Sequence, residues 1–135
     1  RSPTVLLFDT KIMLNSVISD AHKGARYATA DINNFYLNNP MKKFRYMKIP
    51  LKYIPQEILD EYDILSIASH GYVYVEIRKG IYGLKEAGIV AFTRLVTQLA
   101  PYGYIQCKHT PGLWTHASRK IMFTLAVDDI GMKYF

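Results

Sequence analysis

An α+β fold, an antiparallel sheet with helices packed on one face, is what the sequence predicts. Three observations lead there. Helical and strand-like segments are interleaved, neighbouring strand-like segments lie close enough in sequence for hairpins, and 135 residues without repeats or linker-like stretches make a single unit, residues 1–135. Residues 9–19 fit a first helix, with Asp9 as N-cap and Ile12, Met13 and Val17 as an apolar stripe. A turn at 20–24 ends it. Residues 26–32 alternate, Ala28, Ala30 and Ile32 on one face and Tyr27, Thr29 and Asp31 on the other, as in a half-buried strand whose polar face ends in a carboxylate. After an Asn33-Asn34 turn, residues 44–49 read as a strand that Pro50 ends. Residues 55–62 fit a two-turn helix opened by Pro55, with Ile58, Leu59 and Tyr62 on one side. Residues 72–77, β-branched and aromatic, form the next strand, and Gly80 and Gly83 break the pattern. The longest amphipathic helix covers residues 85–100 and is stopped by Pro101 and Gly103. Extended pieces at 104–108 and 113–116 precede an apolar strand at 120–127, an Asp128-Asp129 turn and a returning strand at 130–135.

Composition narrows the partners. Lys and Arg number 17 against 11 Asp and Glu, so the chain carries +6 and is drawn to polyanions such as nucleic acid. The single cysteine, Cys107, forms no internal disulfide and points to a reducing compartment. No run approaches the ~18 apolar residues of a membrane span, and no signal peptide opens the chain. The expected setting is intracellular, cytoplasmic or nuclear, with no membrane partner. The chain starts at Arg1 and stops within a strand-like run, which reads as a piece of something longer. Cys107, His109 and His116 match no established zinc spacing, and His22 and His70 lie in polar, turn-like stretches.

Two adjacent carboxylates, Asp128 and Asp129, follow directly on the apolar strand. An Asp-Asp pair by itself is a common turn dipeptide. Asp31, at the end of another strand, changes its weight: if the two strands are neighbours, Asp31 and Asp128 converge, and like charges at close range are unfavourable without divalent cations between them. Oxygen-only carboxylate sites suit Mg²⁺, and two such ions are the equipment for in-line displacement at phosphorus.

Three segments carry a family resemblance. Ala-Asp-Ile-Asn-Asn-Phe-Tyr-Leu-Asn (30–38) resembles the first catalytic motif of reverse transcriptases. Lys-Gly-Ile-Tyr-Gly-Leu-Lys-Glu-Ala-Gly (79–88) is similar to the second in its copia-type retrotransposon form, and Leu-Ala-Val-Asp-Asp (125–129) to the third. They stand in the family's order, and Met-Lys-Ile-Pro (47–50) and His-Thr-Pro-Gly-Leu-Trp (109–114) resemble its connecting parts. The resemblance implies a polymerase palm (RRM-like) with partial fingers, a partial reverse transcriptase domain over residues 1–135. It implies RNA-directed DNA polymerisation by a retrotransposon polyprotein, with two Mg²⁺ ions, or Mn²⁺, held by Asp31 and Asp128 with Asp129 in support, and the Ile32 carbonyl facing a metal. Tyr36 matches the side chain that blocks a ribose 2′-hydroxyl. Gly83, Lys85, Glu86 and Gly88 match the stretch lying against nucleotide and template. Lys42, Lys43, Arg45, Arg78 and Lys79 are the expected contacts to the nucleic-acid backbone. The implied partners are an RNA or DNA template-primer, a deoxynucleoside triphosphate and the rest of the polyprotein: thumb, RNase H and integrase, none of which the sequence resembles. Glu86 stands where the family has Gln, Asn33 where related sequences carry Lys, and Ala126, by strand alternation on the face of Asp128, where it has an aromatic residue. The alternatives on the same residues are a catalytically silent retroelement remnant that at most binds nucleic acid, and an unrelated RNA-recognition-like module whose Asp-Asp is a hairpin turn.

Overall fold

The computed structural model describes residues 4–135. In chain order its elements are α1 (Leu7–Ser19), β1 (Arg26–Asp31), β2 (Pro40–Pro50), α2 (Gln56–Glu61), α3 (Ile64–Ile67), β3 (Tyr72–Lys79), α4 (Lys85–Leu99), β4 (Tyr104–Gln106), β5 (Leu113–His116), β6 (Ile121–Ala126) and β7 (Asp129–Tyr134). The fold is α+β. Five strands form one antiparallel sheet in the order β1-β7-β6-β5-β4, and β2 and β3 form a separate antiparallel ribbon.

Strand alternation builds the main core. The register sets Phe123 and Leu125 of β6 beside Met132 and Ile130 of β7, and α4 lays Phe92, Leu95, Val96 and Leu99 onto that face. Trp114 and Phe123 stack with ring centroids 5.6 Å apart. A smaller core, Leu59, Ile64 and Val73, joins α2 and α3 to the inner face of the β2–β3 ribbon.

The other face of β7 carries Lys133, and there the single-face expectation fails. Its buried ammonium bonds the Ser16 carbonyl at 3.0 Å and Asp20 Oδ2 at 2.6 Å, so the end of α1 is held against the face opposite α4. A buried ammonium needs oxygens around it, and the end of α1 supplies them.

Most element bounds agree with the periodicity to within two residues, and four details differ. Helix α1 starts at Leu7 with no side-chain cap, leaving Asp9 in the first turn, where a carboxylate favours the helix dipole. As the sheet's edge strand, β1 is largely exposed, with Ala28 alone half-buried. Strand β2 begins at Pro40, with its register irregular before Arg45, and the single turn α3 carries no sequence signal of its own. Among the described residues no helix is long and apolar enough to cross a membrane.

Candidate functional site

The site lies at the β1 edge of the main sheet. Strand β1 pairs with β7 so that Asp31 stands opposite Asp129, and the Ile32 N–H donates to the Asp128 carbonyl at 2.9 Å. Covalent geometry on either side of that bond keeps the Asp31 and Asp128 Cα atoms within roughly 8.5 Å. Asp31 and Asp129 share the α1 side of the sheet, bordering a cleft of about 440 Å³ with Thr29, Ala126 and Gly131. The hairpin closes on the pair Ala126 and Asp129, so its two loop residues are Val127 and Asp128, one step earlier than the sequence predicts. The turn breaks the alternation, which places Ala126 with Asp129 rather than with Asp128.

Val127 has φ +64°, and it is the first loop residue. Positive φ at that position alone is the type II′ pattern, which favours glycine, and a β-branched residue there stores strain on the order of 1–3 kcal/mol. Bonds around the hairpin hold it in place. The Val5 N–H donates to the Leu125 carbonyl at 3.0 Å and the Leu125 N–H to the Gly112 carbonyl at 2.7 Å. Strain of this kind concentrates at functional sites.

Asp128 has a partner that the sequence did not single out. The Tyr82 hydroxyl donates to Asp128 Oδ2 at 2.7 Å, and the Tyr82 ring meets Tyr36 edge-on at 4.6 Å. The Tyr82 phenol is pushed up to about 12, first by that hydrogen bond, then by burial and by the neighbouring charges of Asp128, Tyr36 and Asp31. Tyr36 is also raised, by burial and then by Asp128. Both phenols therefore stay protonated at neutral pH, and Tyr36 lies within the field of Asp128. The signal for Tyr82 was its place within the second motif, one residue before Gly83. Gly80 lets that loop approach: a Cβ there would sit 2.8 Å from the Tyr36 carbonyl oxygen.

The remaining expected residues separate into groups. Lys85 and Gly83 are exposed, whereas Gly88 is buried in α4. Glu86 does not stand as a free anion: Arg45 forks onto it, Nε to Oε2 at 3.1 Å and a terminal nitrogen to Oε1, and this pairing lowers the Glu86 carboxyl. Lys42 and Lys43 border a cleft of about 520 Å³ with Glu86, Ile89 and Arg94. Arg78 bonds Glu76 at 2.8 Å, and Lys79 is exposed at the end of β3. Among the described residues no ion pair reaches Asp31, Asp128 or Asp129. His116 Nδ1 accepts the Ser118 and Arg119 amides and closes a turn.

Among the described residues no three His, Cys, Asp or Glu side chains are grouped to hold a metal. Asp31 and Asp128 nevertheless lie on segments joined by the Ile32 to Asp128 backbone bond, and each carries carboxylate oxygens only. That donor set fits Mg²⁺, which takes one or two carboxylates and completes its shell with water and phosphate. Comparison with protein-family models, curated proteins and solved structures found no match to this chain.

Proposed function

We propose that the chain is the palm, with part of the fingers, of an RNA-directed DNA polymerase of the copia-type retroelement kind. The observation that supports the reading is the Ile32 to Asp128 backbone bond of 2.9 Å, because it joins the segments of two separate sequence motifs at one end of the sheet. The reaction is nucleotidyl transfer: the primer 3′-hydroxyl oxygen bonds to the α-phosphorus of a deoxynucleoside triphosphate as the bond to pyrophosphate breaks. Mg²⁺ held by Asp31 and Asp128 would neutralise charge developing on the phosphoryl oxygens. Tyr82, a neutral donor, orients Asp128. Tyr36, which packs against Tyr82, would exclude a ribose 2′-hydroxyl. The fork to Arg45 pairs the Glu86 carboxylate, so that it does not face a phosphate as a bare anion.

Primer extension on an RNA template with magnesium tests the reading, using the wild-type chain, Asp31→Asn and Asp128→Asn. Extension by the wild type, lost in both variants, is the expected result. If no chain extends while all bind a primer duplex, the silent remnant replaces the polymerase.

A further inference from the structure

Apart from Arg78, the outer face of the β2–β3 ribbon has no role in the site described above. Its register pairs Tyr46 with Glu76, Lys48 with Tyr74 and Pro50 with Tyr72, all on the side away from the Leu59, Ile64 and Val73 core. Phe44 joins the same face, because the Arg78 guanidinium lies 5.7 Å from its ring centroid. Four aromatic rings thus line one surface, and they are not packed away: Tyr46 is 68%, Tyr74 62% and Phe44 49% exposed. So much aromatic area in water on one small ribbon calls for a partner.

The chemistry of the face selects that partner. The Lys48 ammonium lies over the Tyr72 ring at 4.0 Å from its centroid and 6.0 Å from that of Tyr74, which adds positive charge to the aromatic surface. Glu76 neutralises Arg78 and accepts from the Tyr46 hydroxyl, and among the described residues no carboxylate pairs with Lys48, on a chain of net charge +6. Rings on one face of a strand repeat every ~7 Å, two rises of ~3.4 Å. An unstacked single strand can match that spacing. Duplex bases cannot, since they already stack on one another at ~3.4 Å. Cations between spaced, exposed rings are the equipment of sequence-tolerant single-strand binding.

We infer that the Phe44, Tyr46, Tyr72 and Tyr74 face of the β2–β3 ribbon is a stacking platform for single-stranded nucleic acid. It is separate from the carboxylate edge, and it stands whether or not the chain polymerises.

Fluorescence anisotropy with labelled single-stranded 12-mers of dT and of rU, and with a duplex of equal length, tests it on the 135-residue chain. The wild type binds the single strands more tightly than the duplex. Tyr46→Ala and Tyr74→Ala each weaken single-strand binding about tenfold, Tyr46→Phe and Tyr74→Phe retain it, and Lys48→Ala lowers the salt dependence by about one ion. Asp31→Asn leaves it unchanged, so loss of extension in that variant, or none in the wild type, does not touch the inference. The melting temperature of each variant confirms its fold. Single-strand affinity that is absent, no greater than for duplex, or unmoved by the alanine variants overturns the platform. Sedimentation in which Tyr46→Ala or Tyr74→Ala dissolves a dimer also overturns it, in favour of a second copy of the chain as the occupant.

Discussion

Lys133 is the buried charge among the described residues, and removing it tests the account of the sheet directly. Its side chain is 6% exposed, and its ammonium donates to Asp20 Oδ2 at 2.6 Å, the Ser16 carbonyl at 3.0 Å and Ser16 Oγ at 3.1 Å. Lys133→Met keeps the apolar stem and deletes all three bonds. A hydrogen bond to a charged group contributes about 1.5–3 kcal/mol, and the oxygens left behind near the surface regain water, so the loss comes to about 2–3 kcal/mol. For a chain of this size that lowers the melting temperature by roughly 8 °C. Lys23 reaches the same Asp20, at 2.8 Å, but its side chain is 61% exposed, so Lys23→Met loses far less. Urea unfolding followed by circular dichroism measures both. The acid limb supplies a second readout. Asp20 is pulled from 3.8 down to about 2, first by its hydrogen bond to Lys133 and then by that to Lys23. A depressed carboxyl stabilises the fold fully above its unfolded value of 3.8, and that stabilisation is lost as pH falls through about 2. Lys133→Met should therefore flatten the loss of stability between those values. Equal stability of Lys133→Met and wild type, or equal losses in the two lysine variants, would refute the reasoning.

Other substitutions read single contacts. Tyr82→Phe should remove the phenol that titrates at about 12 from an ultraviolet titration; since a raised phenol stabilises below its ordinary value of 10 and ceases to as pH rises through about 12, the variant's alkaline limb should also be shallower. Gly80→Ala sets a Cβ 2.8 Å from the Tyr36 backbone oxygen and 3.1 Å from Ala87 Cβ, neither free to swing away, so thermal melts should show a loss of about 1–3 kcal/mol. Gly131→Ala meets the Tyr27 hydroxyl, the rotatable end of a side chain, and should cost less in the same melts; the reverse order would count against the packing described for the motif loop. Glu86→Gln frees Arg45 and should tighten primer-duplex binding by anisotropy while leaving the melting temperature unchanged, because both partners are about half exposed.

What sequence conveyed was local. Alternation in β6 and β7 and the helical stripe of α4 are short-period patterns, and they located the apolar face to which Phe123, Leu125, Ile130 and Met132 belong. The two motif segments, each at a strand end, do meet through the Ile32 to Asp128 backbone bond, but β1 neighbours the returning strand β7 and not the apolar strand β6 that the sequence set beside it. Contacts between distant positions left no such trace. Arg45 meets Glu86 across 41 positions, Tyr82 meets Asp128 across 46, and Lys133 meets Ser16 across 117. Each needs two elements to be placed before either residue has a reason to be what it is. Alternation likewise could not anticipate the lysine on the far face of β7, because a half-buried strand is read as apolar inside and polar outside, and Lys133 is polar inside.

The turn at Val127 links these scales. A glycine there would relax the hairpin, yet the chain carries a β-branched residue at φ +64° and holds it from three sides, through Val5, Gly112 and Ile32. Two of those bonds fix Leu125, the last core residue before the turn, and the third fixes Asp128 itself. The strain is thereby confined to the residue between the hydrophobic core and the carboxylate. Asp128 is then positioned from its backbone by Ile32 and from its side chain by Tyr82, whose loop is in turn set by the close approach of Gly80 to Tyr36. Because the 33–39 turn and the loop before α4 both rest on that approach, a disturbance at Gly80 should move Tyr36, Tyr82 and Asp128 together, while the outer face of the ribbon, anchored by its own core, stays in place.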